Sequence, residues 1–339
     1  MSTFKNDASP VPLLNSSKRL IQFKQAALSA LQQASLDWSS IRFLQLSDAC
    51  TFKIEHGDGI KLLRLHPDTS LSELKSELAW LEDLHSKVDF PIPHGIPFQN
   101  GELAIILESY GSPPCSATLM QWVEGSHSEE AISLEEAFRE GELIARLHEA
   151  SEAYQPCHPF DQSVWGFDSF QTASERFFQY ASAFVDDQGL ELYCDVTIPL
   201  LEWLKKLPIE QNSHGIIHAD LHQGNILFHE GQPRPIDFGR CGFGFYMYDL
   251  VQPLLGLPPD QRQALCRGYA SLRPFPSNWI TQLERFFLIS MIENYAHHGP
   301  NPAETESMRE QQPYALAMIK RYLDGQPFLF EHVPPYIME

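Results

Sequence analysis

His218-Ala219-Asp220-Leu221-His222-Gln223-Gly224-Asn225, followed twelve residues later by Asp237-Phe238-Gly239, is the stretch on which the reading of this chain turns. Between them, Ile226-Leu227-Phe228-His229-Glu230-Gly231-Gln232-Pro233-Arg234-Pro235-Ile236 places two β-compatible runs around a Glu-Gly-Gln turn. A hairpin of that kind returns the chain on itself, so Asn225 and Asp237 are expected to face one site. Two side-chain oxygens make a sparse metal shell. That suits Mg²⁺, which keeps several waters and takes phosphate oxygens as further ligands. A lone Asp or Asn carries little information; the order and spacing of the three residues is what is specific.

Outward from this stretch the pattern changes character along the chain. Apolar positions Leu20, Phe23, Ala27, Leu28 and Leu31 recur at helical spacing over 20–36. Strand-like runs follow at 41–46, 50–55 and 60–66, the last two joined by His56-Gly57-Asp58-Gly59, a hairpin signal. A helix is predicted over 70–88, with Leu71, Leu74, Leu78, Leu81 and Leu84 on one face and Pro91-Ile92-Pro93 after it. Strands at 102–108 and 116–123 complete a predicted five-strand sheet. Beyond Gly125 the expectation is helical: 133–150, 171–186, 189–207, 246–256, 259–272, 277–298 and 306–324, interrupted by short strands at 224–228 and 233–236. A sheet-rich first third and a helix-rich remainder describe an α+β chain of two lobes. The divisions are an N-terminal lobe over 1–118, a hinge over 119–125 and a C-terminal lobe over 126–339. Residues 1–16 read as a loose start and Gly111-Ser112-Pro113-Pro114 as a surface loop.

The formal net charge of −20 argues against a broad phosphate-binding surface, and so against nucleic acid as a partner. Six scattered cysteines include no Cys-x-x-Cys pair, and no apolar run approaches the length of a membrane span. A cytoplasmic protein with reduced thiols, no membrane partner and no cysteine-bound metal is expected. His214, His218 and His222 are four apart but fall in a loop, so they do not make a helical zinc site.

His218–Asn225, Ile236–Gly239, Gly242-Phe243-Gly244 and Tyr248-Asp249-Leu250 together resemble the aminoglycoside phosphotransferase and choline kinase superfamily. The wording is most similar to its bacterial homoserine-kinase-like and stress-response-kinase-like members. The resemblance covers roughly residues 40–325. It implies a bilobal protein-kinase-like fold, with an antiparallel N-terminal sheet lobe and a larger helical C-terminal lobe, and an enzyme that uses ATP and Mg²⁺. By that likeness Asp220 is the catalytic base and Asn225 and Asp237 are the metal ligands. His218 holds the loop, His222 contacts phosphate or acceptor or is structural, and Asp249 braces the loop. One departure stands out: relatives often read Asp-Phe-Asp-Asp or Asp-Phe-Glu where this chain has Gly239-Arg240. Either the second metal site or acceptor recognition is altered, or Arg240 adds a cation beside the phosphates.

The same likeness asks the first lobe for a cation on the ATP phosphates and a carboxylate to position it. Strand 60–66 offers Lys61 and Arg64 on opposite faces, and the Leu-Arg-Leu-His wording favours Arg64, with Lys61 then facing solvent. Glu77 is its expected partner, because Leu81 and Leu84 anchor the helix beyond it, whereas the competitor Glu73 meets Glu77 at its fourth position. A Gly-rich loop is absent from Leu46-Ser47-Asp48-Ala49-Cys50-Thr51, leaving Ser47 as the candidate phosphate contact. Gln121, Trp122 and Val123 lie in the linker, where adenine is gripped through the backbone. The expected acceptor is a hydroxyl of a small metabolite, an amino alcohol or an amino acid, with Glu284, Arg285, Glu293 and Asn294 as pocket candidates. A protein serine/threonine acceptor, a nucleotide-binding pseudokinase scaffold and an antibiotic-modifying activity are the alternatives.

Overall fold

A computed structural model describes residues 13–108, 114–128, 132–156 and 159–336. The loose start expected before residue 13 and the Gly111-Ser112-Pro113 part of the surface loop lie outside the described residues. The chain divides into two compact units. One comprises Met1–Glu82, Pro93–Val123 and His158–Asp161, the other Asp83–Ile92, Glu124–Cys157 and Gln162–Glu339.

The first unit is built on α1 (Leu13–Gln33), β1 (Ser40–Leu46), β2 (Cys50–His56), β3 (Gly59–His66), α2 (Leu71–Lys87), β4 (Gly95–Ile96), β5 (Ala104–Leu107) and β6 (Cys115–Gln121). Its antiparallel sheet runs β1-β2-β3-β6-β4, with β5 also pairing with β6. The sheet has six strands where the sequence predicts five. The additional one, β4, is two residues long and flanked by Pro93 and Pro97, so it carries no alternation to read. Strand alternation then sorts the faces. Phe52, Ile54, Leu63 and Leu65 pack with Phe23, Ala27, Ala30 and Leu31 of α1 in one core. Each large side chain buried there contributes about 1.5–3 kcal/mol. Arg64, between Leu63 and Leu65, points the other way, towards α2. That helix starts in a capping box, Ser70 N–H on Glu73 Oε2 and Glu73 N–H on Ser70 Oγ, and buries Leu74, Leu78, Leu81 and Leu84.

The second unit contains α3 (Leu134–Glu152), β7 (Ser163–Trp165), α4 (Phe167–Tyr180), α5 (Asp187–Lys206), β8 (His214–Ile217), β9 (Ile226–His229), β10 (Gln232–Pro235), β11 (Gly242–Phe245), α6 (Tyr246–Leu254), α7 (Pro259–Leu272), α8 (Trp279–His298) and α9 (Thr305–Leu323). Helix α4 begins and ends earlier than the sequence predicts and runs into a 3₁₀ turn at Ala181–Ala183. The β9–β10 hairpin forms with His229 opposite Gln232. A three-stranded sheet, β7-β11-β8, is a further feature that the sequence does not announce. Its strands are three or four residues long and one of them is Gly-Phe-Gly-Phe, too short and too glycine-rich for a periodicity signal. Helices α3 and α7 touch backbone to backbone. A Cβ at Gly141 would run into the Leu265 carbonyl oxygen, and one at Gly268 into that of Phe138. The result is the mixed α+β architecture expected, antiparallel sheet first and helices after it. No helix among the described residues is long and apolar enough to cross a membrane.

Candidate active site

The residues singled out in the helical unit meet around one loop. Strand β8 delivers the chain to His218, a 3₁₀ turn at Gln223–Asn225 leads into the β9–β10 hairpin, and the hairpin returns it to Asp237. The loop is bent by Ala219, which adopts φ +65°, and Asp237 also lies in the left-handed region at φ +61°. Neither is glycine, so each conformation costs about 1 kcal/mol or more.

Asp249, in the first turn of α6, holds that bend. Its Oδ2 accepts the His218 N–H at 3.0 Å and its Oδ1 the Ala219 N–H at 2.7 Å. His148 of α3 adds a third bond, Nε2 to Oδ2 at 3.2 Å, and its Nδ1 lies 3.0 Å from the Tyr269 hydroxyl. Burial by itself would raise the Asp249 pKa, but the bond from His148 and the loop amides hold it below the usual carboxylate range. Burial pushes His148 below the usual imidazole range. With Nε2–H donating to Asp249, Nδ1 is the nitrogen left to accept from the Tyr269 hydroxyl.

His218 spans the loop. Its Nε2 donates to the Ile236 carbonyl at 3.0 Å, its Nδ1 accepts the Asp220 N–H at 3.3 Å, and its ring packs on Phe238 at 4.3 Å. One side chain thereby ties the segment carrying Asp220 to the residue before Asp237. Asn225 donates from Nδ2 to the Asp220 carbonyl at 2.9 Å and to Asp220 Oδ2 at 3.2 Å. With its amide nitrogen engaged on Asp220, the Asn225 side-chain oxygen is turned the other way. The Asn225 carbonyl accepts the Ile236 N–H at 2.9 Å, closing the hairpin. His222 is exposed, 4.0 Å from Asp220 Oδ2, and lies in the fields of Asp220, Asp237 and Arg240. Desolvation by the neighbouring protein sets it below the ordinary imidazole range.

In the sheet unit, Arg64 Nη1 lies 2.5 Å from Glu77 Oε1, both side chains almost fully buried, with Met120 Sδ at 3.5 Å. Glu73 is engaged in the α2 capping box. Lys61, expected to face solvent, is partly buried and donates to Gln121 Oε1 at 2.6 Å. The Gln121 N–H goes to the His94 carbonyl at 2.9 Å. Trp122 lies under the Lys53 ammonium at 5.8 Å, and Val123 is buried. Ser47 is exposed in the β1–β2 turn, its N–H on the Ala49 carbonyl at 3.1 Å.

The four acceptor candidates separate. Glu284 is buried and holds the N–H groups of Phe328 and Leu329 at 2.7 and 3.2 Å. Arg285 bonds the Tyr322 hydroxyl at 3.0 Å and covers Trp203. Asn294 is exposed. Glu293 accepts from the Tyr248 hydroxyl at 2.5 Å, and burial pushes its pKa up to about 7. Sequence reasoning missed His148, Trp165 and Glu140. The last is fully buried on α3, accepts from Gln223 Nε2 of the loop at 2.9 Å and is pushed by burial up to about 8. Only the rarity of charged residues on the buried face of a helix marks it in the sequence.

The arrangement holds a carboxylate, an amide and a second carboxylate on one braced loop. Comparison with known proteins accords with it. An uncharacterized protein of Synechocystis sp. is 25% identical over 238 residues, 67% of this chain and 63% of that protein, so the chain spans under two thirds of that relative. Among solved structures, a microcompartment-associated aminopropanol kinase superposes with a TM-score of 0.77 at 23% identity, covering 89% of this chain and 98% of the other. An amicoumacin kinase in complex with AMP-PNP, Ca²⁺ and Ami gives 0.75 at 15% identity, covering 92% and 96%. These likenesses establish the kinase-like phosphotransferase fold. The model of the phosphotransferase enzyme family matches residues 41–279, a span that contains the whole loop, and the chain belongs to that family.

Proposed function

We propose that this member of the family transfers the γ-phosphoryl group of ATP, with Mg²⁺, to a hydroxyl of a small metabolite of the amino alcohol or amino acid kind. The observation that carries the reading is the fixing of Asp220 by Asn225 within a loop moored on Asp249. A carboxylate so held is suited to take the proton of an acceptor hydroxyl, and positioning supplies much of the rate. Among the described residues no cluster of three or more metal-ligating side chains occurs. The two-oxygen set of Asn225 and Asp237 fits an ion that completes its shell with phosphates and water. When bound, Mg²⁺ neutralises charge on the phosphate oxygens.

In this reading Arg64, oriented by Glu77, is the cation for the nucleotide phosphates, Ser47 is a hydroxyl contact, and residues 121–123 line adenine within a hinge over 119–125. That hinge separates a nucleotide-binding lobe over 1–118 from a catalytic and acceptor-binding lobe over 126–339. Named relatives support the donor and the acceptor class: one structure is that of an aminopropanol kinase and another holds AMP-PNP. Free thiols at all five described cysteines suit a cytoplasmic setting.

The test is ATP consumption at fixed Mg²⁺ across amino alcohols, hydroxy amino acids, aminoglycosides and a generic protein, with Asp220→Ala alongside. Turnover with a small acceptor is expected, reduced about 10²–10⁴-fold in the variant. A phosphorylated protein without small-molecule turnover, or a variant as active as the parent, would sink the reading.

A further inference from the structure

Arg240 is held firmly, yet its neighbourhood gives it no full partner. Its guanidinium lies 3.8 Å from Asp220 Oδ1, beyond hydrogen-bond reach, and 4.7 Å over the Trp165 ring. Among the described residues no hydrogen bond leaves the guanidinium. The main chain is fixed by contrast: the Arg240 carbonyl, in the 3₁₀ turn Phe238–Arg240, accepts the Trp165 Nε1–H at 3.0 Å.

Trp165 is itself placed by several contacts. Strand β7 lies parallel to β11, and a Cβ at Gly242 would collide with the Ser163 carbonyl, so the approach depends on glycine there. The indole stacks on Tyr248 with ring centroids 5.8 Å apart, and Tyr248 is anchored on Glu293 of α8. A continuous series of contacts thus runs from α8 to the side of Asp220 and sets an aromatic ring against the guanidinium, whose side chain stays 36% exposed. The edge, which carries the N–H donors, is left to a ligand. A guanidinium fork matches two oxygens of one anion, and a carboxylate fits it in the plane.

We propose that Arg240 is a specificity-determining residue of the acceptor site, and that the acceptor carries a carboxylate close to the hydroxyl it presents to Asp220. This rests on the phosphotransfer reading above. The other anion that this fork could take is the phosphoryl group in transfer, and the experiment separates the two.

Acceptor pairs that differ only in the carboxylate make the test: L-serine with ethanolamine, and L-threonine with 1-amino-2-propanol. Steady-state kinetics with Mg²⁺-ATP and calorimetric binding to the AMP-PNP-loaded protein are measured for the parent, Arg240→Gln and Arg240→Lys. The parent is expected to favour the carboxylated member of each pair. In Arg240→Gln that preference, read as the ratio of kcat/KM and of Kd, falls about 10–100-fold, the scale of a charged hydrogen bond, and Arg240→Lys recovers part of it. Equal or better binding of the amino alcohols by the parent, failure of both carboxylated probes to bind, or equal weakening of both members would overturn the proposal. A raised KM for ATP with the acceptor preference intact would also overturn it and assign Arg240 to the phosphates. Acceptor binding in the expected order without turnover on any pair would instead defeat the phosphotransfer reading and leave the carboxylate preference standing.

Discussion

Arg64 on β3 and Asp220 after β8 are both charged groups held in place, and the means differ. Arg64 stands on a regular strand, its direction set by alternation, and meets a buried carboxylate 2.5 Å away. Asp220 stands in a loop with a residue at positive φ beside it, and its place depends on Asn225, His218, Asp249 and, through Asp249, His148. A strand presents a charged side chain on a backbone that its neighbours have already satisfied. A loop has to have its amides satisfied by side chains before any side chain on it is fixed.

The difference is open to direct attack. Asp249→Ala removes the acceptor of two loop amides and of His148 at once, and is expected to cost about 4 kcal/mol or more, with turnover lost alongside. Urea unfolding and an ATP-consumption assay would check it. A loss below about 1 kcal/mol would show that the loop amides find water or other acceptors instead. The Arg64–Glu77 pair should respond otherwise. Glu77→Leu alone removes the buried carboxylate beside Arg64 and is expected to cost about 3 kcal/mol, whereas Arg64→Met with Glu77→Leu should return to within about 1 kcal/mol of the parent. The double variant should also lose the ATP-dependent thermal shift. If it is as unstable as the single one, the pair contributes more to the fold than its simple geometry suggests, and the contrast with the loop weakens.

The smallest of these effects is a pH dependence. Glu140 has its pKa raised from 4.5 to about 8 by burial. Between those values the folded chain holds a proton that the unfolded chain has released. Stability from this group is full below about pH 4.5 and is lost as pH rises towards 8. Between pH 6 and 7 the loss is expected to be about 1 kcal/mol. Glu140→Gln keeps an oxygen for Gln223 and cannot ionise, so its melting profile should be flatter over that interval. A variant as pH-sensitive as the parent would place the dependence elsewhere.

What the sequence made legible follows the same division. The loop motif could be read because its chemistry is contiguous, residues 218–225 and 237–239, with a hairpin signal between them. Glu77 could be preferred to Glu73 from the leucines beyond it, and the capping box at Ser70 gives Glu73 a separate task. His148 could not be placed against Asp249, because 101 residues separate them and helical periodicity says only which face is buried. Trp165 escaped notice for a related reason: its strand has three residues and takes its position from pairing with β11. Of the helix α8 candidates, chemistry alone ranked none. Packing assigned Glu284 to the chain at Phe328 and Leu329 and brought Glu293 to Tyr248.

The backbone contact between α3 and α7 has a mechanical consequence. With Gly141 against the Leu265 carbonyl and Gly268 against that of Phe138, the two main chains meet with no side chain between them. Glu140 and His148, the two α3 side chains that reach the loop and its brace, are therefore mounted on a stiff beam. The short turns that carry Asp220 and Asn225 thus rest on points that the beam holds fixed.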